Sequence, residues 1–304
     1  MSKLLVLFVF HIYNERVKSF INKAIFYDKD IDFIVISNNK NIILKVPNYV
    51  KILNRDNIGY DFGGWSDALL INNLYKEYDN FIFVNSSVIG PYLPSSYKGK
   101  WTDIFLDGLK NDIKLFGSTI NTCDQPLTHS HVQSYIFSMD KNTLQYLIDC
   151  HIFSMTNYAK TFNDAIWQKE VLMSRKIIEN NWNIGSLMLY YKDIDFRFRD
   201  KKPEDYNIKF INDIMYSSFI DLLWTKEELV FVKGNRLNIE NNILKSWTFI
   251  GNENDTVSVP IETLVRYGAN NKYNFQIKSN SFIADNKTFG DPIPNIKKKI
   301  YAYI

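Results

Sequence analysis

The sequence predicts an α/β fold: a mainly parallel sheet flanked by helices, followed by a small β-rich module. Three observations predict it. Apolar runs of strand length alternate with amphipathic helical patterns through the first two-thirds of the chain. Several of those runs empty into turns rich in Ser and Asn. Beyond Phe249 both features give way to short alternating segments with Gly and Asn turns. Leu4–Phe10 is a continuous apolar run, as expected for a strand covered on both faces. Val17, Phe20, Ile21, Ala24 and Ile25 then recur at helical spacing over Val17–Phe26. Phe33–Ile36 and Val50–Leu53 read as strands, and Ser66–Tyr78 as a helix. Asn80–Val84 is a strand again, running into Asn85-Ser86-Ser87. Strands alternating with helices in this way imply right-handed βαβ crossovers. Further on, Ile113–Gly117 and Ser134–Met139 read as strands, and Asn142–Cys150 and Asp164–Glu179 as helices.

The tail changes character. Thr256–Val259, Lys272–Ile277 and Phe282–Ala284 suggest a separate β module over 246–304, with a main domain over 1–240 and a soft boundary at 238–250. Its Asp291-Pro292 reads as a turn, and the run Lys297-Lys298-Lys299 as a solvated end.

Composition narrows the function classes. A chain that is 46% hydrophobic is not disordered. A net charge of +3, from 36 basic and 33 acidic residues, offers no basic stripe for nucleic acid. No apolar run approaches the roughly 18 residues of a membrane span. Two cysteines, Cys123 and Cys150, make neither a disulfide framework nor a Cys-rich zinc site, which favours a reducing, cytoplasmic setting.

Ligands on open α/β sheets bind beyond the carboxyl ends of the strands. That rule directs attention to 11–14, 37–39, 54–65 and 85–91. Asn54 through Trp65 holds one Arg, two Asp, two Asn and three Gly in twelve residues, between a strand and a helix. Arg55 could pair with a phosphate, Asp61 could accept hydrogen bonds from sugar hydroxyls, and the glycines, Gly59 and Gly64 among them, allow close approach of backbone. The plain alternative is a tight turn in which Asp61 caps the helix. The spacing is neither a GxGxxG fingerprint nor a P-loop. In the second constellation, small polar groups, Asn85 and Ser87, sit where a buried strand ends. His11 closes the first strand. His129 and His131, two apart on an extended segment, point the same way, toward a diphosphate or an acceptor sugar rather than a metal. His151 reads as structural, and Trp65, Trp101, Trp167, Trp182 and Trp224 as mostly core, with one or two left to stack on a sugar or uracil ring.

These residues carry a resemblance. Phe10-His11-Ile12-Tyr13, Arg55 through Trp65 and Tyr78 through Pro91 together resemble the rhamnan-synthesis-type glycosyltransferases, found in bacterial polysaccharide loci and in giant viruses. His131-Val132-Gln133-Ser134-Tyr135 and Glu228 through Arg236 resemble two further segments of that family, so that the likeness covers roughly 4–237. It implies a GT-A-type, Rossmann-like mixed sheet that binds a nucleotide-diphosphate sugar. It implies donor contacts from His11, Asn38, Arg55, Asn57, Gly59, Asp61, Gly64, Asn85, Ser87 and His131. It also implies an acid near Glu170 as catalytic base, with Asp164 the other candidate or else an ordinary helix-start acid. The tail resembles a small β module appended to diverse proteins, glycosyltransferases included.

One departure follows. GT-A enzymes usually carry a DxD-type motif where the fourth strand ends, and its carboxylates hold a divalent cation. Here Asn85-Ser86-Ser87 stands instead. Neutral oxygens bind Mn²⁺ or Mg²⁺ weakly, so the metal is left open, and no metal ligand is assigned. The diphosphate is then expected to draw its counter-charge from Arg55, His131 or a lysine, unless Asp61 or Asp124 reaches a metal. The expectation is a glycosyltransferase moving a hexose or deoxyhexose from a nucleotide-diphosphate sugar to a glycan or glycoprotein acceptor. It has no nucleic-acid partner and no transmembrane segment, and resides in the cytoplasm, the host's if viral. The rival is a non-catalytic carbohydrate- or nucleotide-binding scaffold.

Overall fold

The computed structural model describes residues 2–123, 126–199, 201–206, 209–216, 219–234, 247–270 and 272–303. Asp124, Asn235, Arg236 and most of the expected 238–250 boundary lie outside them. The chain forms two compact units, Met1–Leu237 and Asn238–Ile304.

The first unit is built on seven strands: β1 (Leu4–Phe10), β2 (Ile31–Ser37), β3 (Lys51–Asn54), β4 (Asn80–Asn85), β6 (Ile113–Gly117), β9 (Ile136–Asp140) and β10 (Asn183–Ser186). Four short strands, β5 (Val88–Ile89), β7 (Ile120–Asn121), β8 (His131–Val132) and β11 (Val232–Lys233), form two small ribbons beside them. The large sheet runs β10-β6-β9-β4-β1-β2-β3. β1 to β4 are mutually parallel, β6 and β10 are parallel, and β9 is antiparallel to β4 and β6. The sheet is therefore mixed, with β1 between β2 and β4, where the strand order reverses.

The local chemistry explains the elements. All seven residues of β1 are buried, because helices cover both faces. On one face, Phe8 stacks on Phe20 of α1 (Glu15–Lys23) at 4.0 Å between ring centroids, and α3 (Trp101–Asp107) adds Trp101. The Asn14 side chain caps α1 by accepting from the Arg16 and Val17 amides. On the other face, Phe62 and Trp65 of α2 (Tyr60–Leu70) pack on Phe83 and Phe137. The Asp140 side chain caps α4 (Lys141–Asp149) through the Thr143 amide.

Two expectations are corrected. The helix expected from Ser66 begins at Tyr60 and gives way after Leu70 to 3₁₀ turns over Ile71–Glu77, broken by a kink at Asn72 and Asn73, both with left-handed backbone. The supposed Gly-rich turn over 60–65 is thus helix. Gly59 adopts φ +76°, the left-handed conformation that lets the chain enter α2. Gly64 lets α2 sit on the sheet, since a Cβ there would lie 2.8 Å from Val9 Cγ2 and 3.1 Å from Asn38 Oδ1. Second, the helix expected over Asp164–Glu179 is a short α5 (Phe162–Asp164), a π-wound segment over Ala165–Val171, and α6 (Leu172–Glu179). A four-residue helix, α7 (Lys226–Leu229), precedes β11. Among the described residues no helix is long and apolar enough to cross a membrane.

The second unit holds β12 (Trp247–Asn252), β13 (Thr256–Ala269), β14 (Lys272–Ile283), the one-turn α8 (Asn286–Phe289) and β15 (Lys299–Tyr303). The strands pair antiparallel in the order β12-β15-β13-β14. The short strands read at 272–277 and 282–284 are one continuous strand. Lys298, expected in a solvated run, is buried and pairs with Asp291 at 2.9 Å and Glu253 at 3.6 Å.

Candidate active site

A cleft of about 630 Å³ opens in the first unit at the carboxyl end of β4. Among the segments that meet there, residues 121–123 and 212–213 form part of the wall, and the following bring the polar groups and rings. β4 ends at Asn85, and the turn into β5 brings Ser87. The first turn of α2 brings Tyr60 and Asp61. β8 and the residues after it bring His131, Gln133 and Ser134. The π segment brings Ile166, Trp167 and Glu170, with Phe162 before it. β11 pairs with β5, Lys233 opposite Val88, and so carries Lys233 to the same cleft.

The polar groups are interlocked. Asn85 Nδ2 donates to Asp61 Oδ2 at 3.0 Å, while Asn85 Oδ1 accepts from the Ser87 amide at 2.9 Å and from the Ser87 hydroxyl. Protein surrounds the Asp61 carboxyl on most sides, though the cleft leaves it a path to solvent. Burial pushes its pKa up, the Asn85 hydrogen bond opposes that, the Glu170 charge adds to it and Lys233 draws it down; the result is about 6. Glu170 is fixed by Ser134, whose amide donates to Oε1 at 3.2 Å and whose hydroxyl donates to Oε2 at 2.9 Å. His131 Nε2 stands 3.7 Å from Glu170 Oε1. Its Nδ1 lies 2.6 Å from the His129 carbonyl, which can only accept, so Nδ1 carries a proton and Nε2 is the nitrogen turned toward Glu170.

The π winding sets neighbouring side chains to opposite tasks. Glu170 faces the cleft, while Lys169 turns inward and donates to the carbonyls of His151 and Ile152 at 2.8 and 2.9 Å. Burial lowers the Lys169 pKa to about 8. Such π segments recur at functional sites because the extra residue re-aims a side chain. Two rings stay exposed at the cleft: Trp167 at 53%, with the His129 ring 5.1 Å away, and Phe162 at 66%.

Of the residues expected at the site, the structure gathers Asp61, Asn85, Ser87, His131 and Glu170 around one cleft. The others do not line it. Arg55 is committed elsewhere: Nε donates to Asp67 at 2.6 Å, Nη1 to Asn38 Oδ1 at 2.6 Å and Nη2 to the Ile58 carbonyl at 2.7 Å. Asn38 also donates to the Tyr60 carbonyl, and His11 Nδ1 meets the Asn38 carbonyl, so these three brace the strand ends against α2. Asn57 is exposed away from the cleft, and Gly59 and Gly64 serve backbone conformation and packing. Asp164 forms a capping box with Thr161 and accepts from Gln168. Lys233 was missed among the named candidates, although the segment from Glu228 that contains it was singled out. Trp167, among tryptophans expected to be mostly core with one or two left to stack on a ligand ring, stands exposed at the cleft mouth.

Among the described residues no three His, Cys, Asp or Glu side chains are grouped to hold a metal ion. One Asp61 oxygen and both Glu170 oxygens already accept protein hydrogen bonds.

The sequence profile of the family described as rhamnan synthesis protein F matches residues 33–213, more than half of the chain. The chain belongs to that family. The matched stretch contains Asp61, Asn85, His131, Ser134 and Glu170, whereas β1, Lys233 and the C-terminal unit lie outside it. The rhamnan-synthesis-type resemblance is thereby shown over residues 33–213; its segments at 10–13 and 228–236 lie outside the match. Among curated proteins, none matches the chain.

Proposed function

We propose that this member of the rhamnan synthesis protein F family is a glycosyltransferase of GT-A type. It moves a hexose or deoxyhexose from a nucleotide-diphosphate sugar to a glycan or glycosylated acceptor. The observation that carries this reading is the placement of a fixed carboxylate, Glu170, and a cation, Lys233, on one cleft at the carboxyl end of β4, beside the reversal of strand order. In the reaction an acceptor hydroxyl attacks the anomeric carbon while the carbon–oxygen bond to the diphosphate breaks. Glu170 takes the hydroxyl proton, and its hydrogen bonds from Ser134 hold it in place for that transfer. Lys233 and the protonated form of His131 face the charge that grows on the leaving diphosphate. Asp61 and Asn85 offer hydrogen bonds to donor hydroxyls, and the Trp167 and Phe162 rings offer faces to sugar or base.

Counter-charge from side chains makes a divalent ion secondary, and calorimetric titration with nucleotide-diphosphate sugars tests this. Lys233→Ala should weaken donor binding about tenfold or more, as loss of a charge-assisted hydrogen bond does. EDTA should leave most of the affinity. Abolition by EDTA with rescue by Mn²⁺ would refute the side-chain account of the diphosphate site.

A further inference from the structure

The second unit carries a feature that the first does not need. Along its strands, side chains alternate between two faces. One face closes on a small core of Val265, Tyr267, Phe289, Ile300 and Ala302. The other displays Trp247, Phe249, Tyr273, Phe275 and Tyr301 around Arg266. Phe249 is 50% exposed and Phe275 37%. The rings adjoin, with Trp247 5.9 Å from Phe275, Phe249 5.9 Å from Tyr301 and Tyr273 6.2 Å from Tyr301. The Arg266 guanidinium lies 4.5 Å from the Trp247 and Tyr273 ring centroids and 4.8 Å from that of Tyr301. Its Nε is buried and has no hydrogen-bond partner among the described residues.

We propose that this aromatic sheet face is a glycan-binding platform that takes a neutral polysaccharide chain. An exposed aromatic patch of this kind marks an interaction surface. Sugars match it because a pyranose presents C–H faces to rings and hydroxyls to polar groups. A nucleic-acid strand would need exposed cations tracking its phosphates; here the central cation is stacked among rings, with Lys299 beside Phe249. The role of the platform rests on the proposed function: a module that holds the acceptor polymer on the same chain as the transferase cleft raises the acceptor's local concentration, typically to the millimolar range for short linkers.

Affinity electrophoresis of the full chain in gels containing rhamnan, dextran or no polymer tests the proposal. A poly(U) shift assay and sedimentation equilibrium run alongside. Rhamnan should retard the wild-type chain. The double variant Phe249→Leu/Phe275→Leu, which keeps apolar bulk but removes the rings, should weaken that retardation at least tenfold with an unchanged circular dichroism spectrum and melting temperature. Phe249→Trp, which keeps a ring, should be retarded like wild type and serves as the second readout should the double variant misfold. The proposal is overturned if neither polysaccharide retards the wild type or if the double variant is retarded equally. It is also overturned if the rings instead govern poly(U) binding or self-association. Donor titration of the same samples keeps the two claims apart. Glycan retardation without nucleotide-sugar binding would spare the platform and sink the transferase reading, and the reverse would do the opposite.

Discussion

Asp61 shows how burial of one carboxyl at the cleft costs the fold stability. Its native pKa of about 6 lies above the ordinary value of 3.8. Between those pH values the folded chain therefore holds more protons than the unfolded chain, so stability falls as pH rises from about 4 to 6 and the penalty persists above 6. Two pKa units correspond to about 3 kcal/mol, and solvent entering the cleft reduces that to roughly 1–3 kcal/mol. Asp61→Asn keeps an acceptor for the Asn85 amide and removes the charge. It should raise the melting temperature at pH 7.5 by roughly 2–8 °C and lose that advantage at pH 4, while weakening donor binding. A gain that is the same at both pH values would show that the carboxyl is not the source. The place of Asp61 at the cleft was legible because it follows a strand's carboxyl end, where open α/β sheets bind ligands. Arg55, from the same segment, misled. Its partners Asp67 and Asn38 flank it at a distance in sequence, and the fold alone brings them to its guanidinium. Lys233 was hidden, since the pairing of β11 with β5 delivers it from the far end of the unit.

At the scale of elements, the legible parts were those with strong periodicity. β1, β4 and α1 follow from apolar runs and from apolar residues at helical spacing. β10 was missed because Asn-Ile-Gly-Ser carries no strand pattern; its pairing to β6 makes it a strand. The π segment was read as ordinary helix, since the extra residue in its turn leaves little trace in the apolar spacing. Lys169 is what that winding turns inward, and it supplies a test. Its native pKa of about 8 lies below the ordinary 10.5. The unfolded chain thus binds the extra proton between those values, and stability attributable to Lys169 should rise as pH increases from about 8 to 10.5. Urea unfolding across that range should show this rise in the wild type. Lys169→Met should abolish it while leaving the carbonyls of His151 and Ile152 without their donor, which lowers stability by about 1–3 kcal/mol. A Met variant with the wild-type slope would mean that the amine is not the titrating group.

At the scale of the whole molecule, a mixed sheet carries the cleft and a separate antiparallel sheet carries the aromatic face. The order β10-β6-β9-β4-β1-β2-β3 gathers residues from α2, β4, β8, the π segment and β11 at one cleft. The second unit presents rings on a flat sheet face. The α/β alternation and the change of character near the tail were visible in the sequence, because both depend on local pattern. Which carboxyl-end residues converge was not, because convergence depends on strand order and on the ribbon that carries Lys233. Family membership bounds the chemistry, and the cleft supplies the groups that would perform it. The most direct test of the central claim is the release of nucleoside diphosphate from nucleotide-diphosphate sugars, followed with and without a glycan acceptor. The wild-type chain should release it with at least one donor, faster with acceptor present. Glu170→Gln should cut that rate about 10²–10⁴-fold while donor affinity stays within threefold. Full turnover by Glu170→Gln, or no release from any donor by a wild-type chain that binds one, would contradict the account.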